Sequence, residues 1–156
     1  MENSSIVDVL LSKGSIDSPV VFVMCGELPS PNEMFGVSGD NVKVVASLGG
    51  VLDDVGLASI SFWVREGAKA IVVIGHSECK AFSLANETIL PDSAVQRFVE
   101  KIKPSLYVSK DEPVKVLLSY IVDDIRLRLP SIKKAEEGKL EIVKLMYSNK
   151  EVVRVE

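Results

Sequence analysis

The chain carries two thiols and one imidazole, Cys25, Cys79 and His76, and their placement is the most informative feature of its 156 residues. Cys25 follows the apolar run Pro19-Val20-Val21-Phe22-Val23-Met24, and His76 follows Ala70-Ile71-Val72-Val73-Ile74-Gly75, with Cys79 three residues further on. Three readings are open for such thiols: buried apolar side chains, a metal pair or a redox pair. A lone histidine is ordinarily a satisfied structural residue, and without a Cys-x-x-Cys the redox reading ranks below the others. If the two runs are neighbouring parallel strands, their carboxyl ends lie about 5 Å apart. Cys79, in the turn after His76, can then fold back toward both. Two thiolates and an imidazole make the ligand set of a catalytic zinc site with one position open. Sulfur and imidazole donors favour zinc over magnesium, calcium or manganese.

Both runs read as strands buried on both faces, the pattern of a parallel sheet. A short helix over residues 5–12 precedes the first. Residues 28–40, with Pro29, Pro31, Gly36 and Gly39, read as loop, and Val42 to Ala46 as another strand. Asp53 and Asp54 are N-cap candidates for a helix from Val55 to Arg65 that Gly67 would close. Its only polar residues before Arg65 are Ser59 and Ser61, so it should be buried all round, one flank against a partner chain. Ala94, Val95, Phe98, Val99 and Ile102 define an amphipathic helix expected to stop at Pro104. Residues 114–129 form another, ended by Pro130. The tail from Leu140 reads as two strands around Ser148-Asn149-Lys150. The expected class is α/β: a mainly parallel β-sheet flanked by helices, with an antiparallel C-terminal edge strand. Such sheets bind ligands beyond the carboxyl ends of their strands, where strand order reverses.

Composition narrows the function. A formal net charge of −4, with basic residues scattered, leaves no electrostatic footprint for nucleic acid. No apolar run approaches the roughly 18 residues of a membrane span. A mean hydropathy of +0.25 leaves apolar surface to bury in the core or against another subunit. Met1-Glu2-Asn3-Ser4-Ser5 has no positive stretch leading into an apolar one, so no signal peptide is expected and the expected location is cytoplasmic.

Met24-Cys25-Gly26-Glu27, Gly39-Asp40, Gly49-Gly50-Val51-Leu52-Asp53-Asp54 and Ala70 through Gly75-His76-Ser77-Glu78-Cys79 together resemble the β-carbonic anhydrases. That family has Cys-x-Asp-x-Arg after its first strand, a Gly-Asp, a Gly-Gly followed in one subgroup by Asp-Asp, and His-x-x-Cys after its third strand. The resemblance implies one domain over 1–156 with Cys25, His76 and Cys79 as Zn2+ ligands. It also implies a homodimer or higher homo-oligomer, and hydration of CO2 to bicarbonate by zinc-bound hydroxide. The family's Asp-Arg dyad is broken here: the Asp position is Glu27 and the Arg position is Pro29, which neither donates hydrogen bonds nor carries charge. The family's Arg-Asn-Ala reads Ala46-Ser47-Leu48, and the Gly after its second Cys reads Lys80.

Two thiolates cancel the charge of a zinc ion, so its water is less acidified than in an all-imidazole site and a nearby acceptor matters more. Glu27, the carboxylate within two residues of Cys25, either orients that water or takes the fourth position and closes the site. The plain alternative is a solvated loop carboxylate. Closed zinc sites are structural. Two functions follow: a β-carbonic-anhydrase-like zinc lyase with Glu27 assisting, or a non-catalytic protein with a closed zinc site. Lys80 steers an anion such as bicarbonate or is simply exposed, and Phe62 and Trp63 are packing or interface residues.

Overall fold

The computed structural model describes residues 5–107 and 112–156. The reading of the first four residues as free of a signal lies outside them. Five strands form one sheet: β1 (Val20–Cys25), β2 (Val42–Ser47), β3 (Ala70–His76), β4 (Glu141–Ser148) and β5 (Glu151–Val155). Their order is β2-β1-β3-β4-β5. All neighbours are parallel except β4 and β5, which are antiparallel. The β2-β1-β3 arrangement puts the reversal of chain order between β1 and β3.

Alternation along the strands explains why β1 and β3 are apolar throughout. Val21, Val23, Ile71 and Val73 face one layer, with Leu57 and Ile60 of α3 (Asp54–Arg65), Ile102 of α4 (Ser93–Tyr107), Leu118 and Ile125 of α5 (Pro113–Arg128) and Ile132 of α6 (Pro130–Glu137). Val20, Phe22, Met24, Val72 and Ile74 face the other, with α1 (Ile6–Leu11), Phe35 of α2 (Pro31–Phe35) and Val37. Every residue of β1 is buried. Truncating a side chain such as Ile60, fully buried here, costs roughly 2–5 kcal/mol in cores of this kind.

The sequence-derived strands all form, and β1 and β3 run slightly further, so Cys25 and His76 are their last residues. Asp53 caps α3 as expected, its Oδ1 accepting from Gly56 N at 2.8 Å. Gly67, at φ +103°, follows the α3 cap in the left-handed conformation that a helix stop favours.

Two expectations fail. Residues 28–40 are not all loop: Ser30 caps α2, accepting from Glu33 N, with Pro31 in the first turn. A proline there loses no helical hydrogen bond. Pro104 does not stop α4, which continues one turn further to Tyr107 despite the hydrogen bond that proline cannot donate there. Pro130 ends α5 as expected, and it also opens α6 as its first residue. On α3, Leu57 and Ile60 are buried while Val55 and Phe62 are exposed. The helix therefore does not bury all its apolar faces within one chain.

Candidate metal centre

β1 and β3 pair in parallel from Val20 with Ala70 to Met24 with Ile74, so Cys25 and His76 emerge side by side at one sheet edge. Gly75 precedes His76 because α5 leaves no room for more. A Cβ there would lie 2.6 Å from Val114 Cγ1 and 3.1 Å from Leu118 Cδ2. Beyond His76, Ser77 N donates to Tyr147 O and Ser77 Oγ bonds Ser148 Oγ at 3.1 Å, fixing the exit of β3 to β4. Glu78 then takes a left-handed φ of +56°. That reversal brings Cys79 back over the strand ends, where it precedes a 3-10 segment, Lys80–Asn86.

The two sulfurs lie 3.9 Å apart. Two sulfurs sharing one tetrahedral zinc at about 2.3 Å are separated by about 3.8 Å. His76 Nδ1 lies 3.1 Å from Ser77 O and donates to it. This leaves Nε2 as the lone-pair nitrogen, the tautomer a metal-ligating imidazole needs. Nε2 is buried and has no hydrogen-bond partner. An unpartnered buried nitrogen costs stability, and a shared cation removes that cost. Ligand atoms of Cys25, Glu27, His76 and Cys79 all lie within 4.8 Å of one another. Beside Cys25, His76 and Cys79 is a cavity of about 10 Å³ that Glu27 does not line, walled on its apolar side by Phe82, Val114 and Leu118. By volume it holds one small atom or ion. Geometry, tautomer and donor chemistry all fit zinc.

The electrostatics describe one proton shared by two thiols. Cys79 donates to Cys25, and this bond, with help from His76 and the amides of Glu27 and Gly49, draws Cys25 down to about 4 against the opposing effect of burial. Cys79, holding that proton beside the Cys25 thiolate and buried, is pushed far above the ordinary thiol range. His76 is raised, first by interaction with the Cys25 sulfur, against the opposing effect of burial. That contact is not aligned as a hydrogen bond to Nε2, which stays unpartnered. Glu27 is exposed, and its Oε1 accepts from Lys80 N at 3.0 Å.

The family model for carbonic anhydrase matches residues 28–152. The chain belongs to the β-carbonic anhydrase family. The match begins three residues after Cys25, so the motif at the end of β1 joins the family pattern through the fold. No curated protein matches in sequence. Among solved structures, a tetrameric β-carbonic anhydrase of Sordaria macrospora superposes with a TM-score of 0.72 at 18% identity, covering 93% of this chain and 83% of that one. The β-carbonic anhydrase CafA of Aspergillus fumigatus gives 0.69 at 18% identity over 97% and 80%. The carbonic anhydrase of Streptococcus mutans gives 0.58 at 20% identity over 89% and 84%. The five-stranded sheet with its antiparallel edge is the fold of that family.

Of the residues singled out in sequence, Cys25, Glu27, His76 and Cys79 converge. Pro29 does not, lining a separate surface groove with Leu10 and Tyr147. Asp40 sits in an exposed turn before β2. Lys80 takes part through its main-chain N–H, not through the ammonium group. Ser77 O, Gly49 N and Lys80 N are the site's unforeseen members. They are backbone groups, which no side-chain pattern marks. Among the described residues no helix is long and apolar enough to cross a membrane.

Proposed function

We propose that this chain is a zinc-dependent lyase that interconverts CO2 and bicarbonate, with Cys25, His76 and Cys79 holding Zn2+ and Glu27 positioning the reacting water. The observation that carries this reading is the unpartnered Nε2 of His76, buried within 4.8 Å of two thiols and a carboxylate at the β1/β3 edge. Zinc, when bound, supplies Lewis acidity that brings the pKa of a water in its fourth position toward neutrality. The protein supplies orientation. Glu27 has one oxygen engaged by Lys80 N, and its other oxygen accepts from the reacting water. Phe82, Val114 and Leu118 offer an apolar wall to uncharged CO2, and charged bicarbonate leaves past exposed Glu27. Stopped-flow CO2 hydration by zinc-loaded protein should give a rate that rises between pH 6 and 9, and Glu27→Ala should lower it. A rate equal to that of buffer, with one zinc per chain, refutes catalysis.

A second reading is a closed, non-catalytic zinc site. The cavity favours it, since about 10 Å³ leaves no room for a substrate beside the ion without side-chain movement. On that reading the parent hydrates no CO2, and Glu27→Ala opens the fourth position to an added anion. We also assign the chain one domain over 1–156 that acts as a homodimer or larger homo-oligomer. Support comes from edge strand β2, the 3-10 turn that follows it and α3, where Val44 (47% exposed), Leu48 (47%), Val55 (73%) and Phe62 (51%) leave apolar surface uncovered. Val44→Lys with Val55→Glu should reduce the mass in light scattering to that of one chain. An unchanged mass places the interface elsewhere. Free Cys25 and Cys79 suit a reducing compartment, the cytoplasm.

A further inference from the structure

We propose that the main-chain N–H of Lys80 holds the Glu27 carboxylate at the rim of the metal centre and keeps the fourth coordination position accessible. This inference rests on the zinc reading above. Position 29 offers no hydrogen bond to the carboxylate, because it is proline and lies on a different groove. The donor that does reach Glu27 comes from 53 residues further along the chain, at 3.0 Å. It is the peptide immediately after Cys79, so its place relative to the metal is set by a ligand. The two thiols and Nε2 are buried, whereas Glu27 is exposed. A carboxylate inserted as a fourth ligand would share their burial; this one is tethered outside them. Glu27 is close enough to close the site when released, since its carboxylate is within 4.8 Å of the other donors. Lys80 is therefore a positioning residue that acts through its backbone, whatever its side chain.

The distinction between backbone and side chain supplies the test. Lys80→Ala keeps the N–H and Lys80→Pro deletes it. In cobalt-substituted protein, azide binding followed by visible absorption reads access to the fourth position. Lys80→Ala should bind azide as the parent does. Lys80→Pro should bind it at least tenfold more weakly, because the released carboxylate competes, and adding Glu27→Gln should restore parental binding. If Lys80→Pro matches Lys80→Ala or binds azide more tightly, the inference is overturned. A second measurement needs no proline variant. In zinc-loaded protein observed by NMR, Glu27→Ala should shift the Lys80 amide proton upfield and speed its exchange tenfold or more, leaving β4 amides unchanged. An unmoved Lys80 amide overturns the inference even if zinc binds and CO2 is hydrated. Absence of sulfur-to-cobalt charge transfer in the parent overturns the zinc reading itself.

Discussion

Counting the protons released when metal binds tests the electrostatics of the centre directly. Zinc requires both sulfurs as thiolates and His76 neutral. With ordinary thiols near about 8.5 and imidazole near about 6.5, binding would release about 1.5 protons at pH 8 and about three at pH 5.5. Here Cys25 is already a thiolate, its value lowered to about 4 by the proton Cys79 shares with it. Cys79 stays protonated through this whole range. His76 is raised, so the imidazolium persists to higher pH than usual and must also deprotonate on the acid side. The expected release is about two protons at pH 5.5, from Cys79 and His76, and one, from Cys79, once the pH is above the raised His76 transition. Since affinity changes tenfold per pH unit for each proton released, it should fall about a hundredfold per unit of acidification near pH 5.5 and about tenfold per unit above that transition. Titration calorimetry of zinc into apo-protein, in two buffers of different ionisation enthalpy, yields the count at each pH. Three protons at pH 5.5 would mean that Cys25 is an ordinary thiol and that the paired-sulfur picture is wrong.

Further outcomes follow from the same geometry. Replacing Cys79 with Ser should weaken zinc binding by about a hundredfold or more, because 10–16 kcal/mol shared among four ligands averages about 3 kcal/mol each; chelator competition measures it. Gly75→Ala places a methyl group 2.6 Å from Val114 Cγ1 and should destabilise by about 1–3 kcal/mol. Thermal unfolding of the apo-protein should show this, with Val114→Ala restoring part of the loss. Asp53→Ala removes the 2.8 Å cap of α3 and should cost about 1 kcal/mol in urea unfolding.

Strands β1 and β3 were legible because burial on both faces leaves an unbroken apolar signature, and the sheet edge bearing Cys25 and His76 followed from their ends. What escaped was of two kinds. Proline was read as punctuation, yet Pro31 and Pro130 open helices and Pro104 sits within one. The residue is the same in each role, and only its position relative to the first turn decides. The second kind is the work of peptide groups. Ser77 O sets the His76 tautomer and Lys80 N tethers Glu27, but every residue carries such groups, so their use depends on the path of the chain and not on side-chain identity. Glu78 illustrates this: its left-handed backbone returns Cys79 to the site, and nothing in a glutamate announces it.

The three ligands differ in how firmly the protein holds them. Cys25 and His76 end central strands, which are the last parts of a sheet to open. Cys79 stands on a short 3-10 segment beyond a left-handed turn. An ion leaving this centre therefore need not wait for the domain to come apart: local fraying of residues 77–86 releases one sulfur and leaves a two-ligand stub on a rigid frame, ready to recapture.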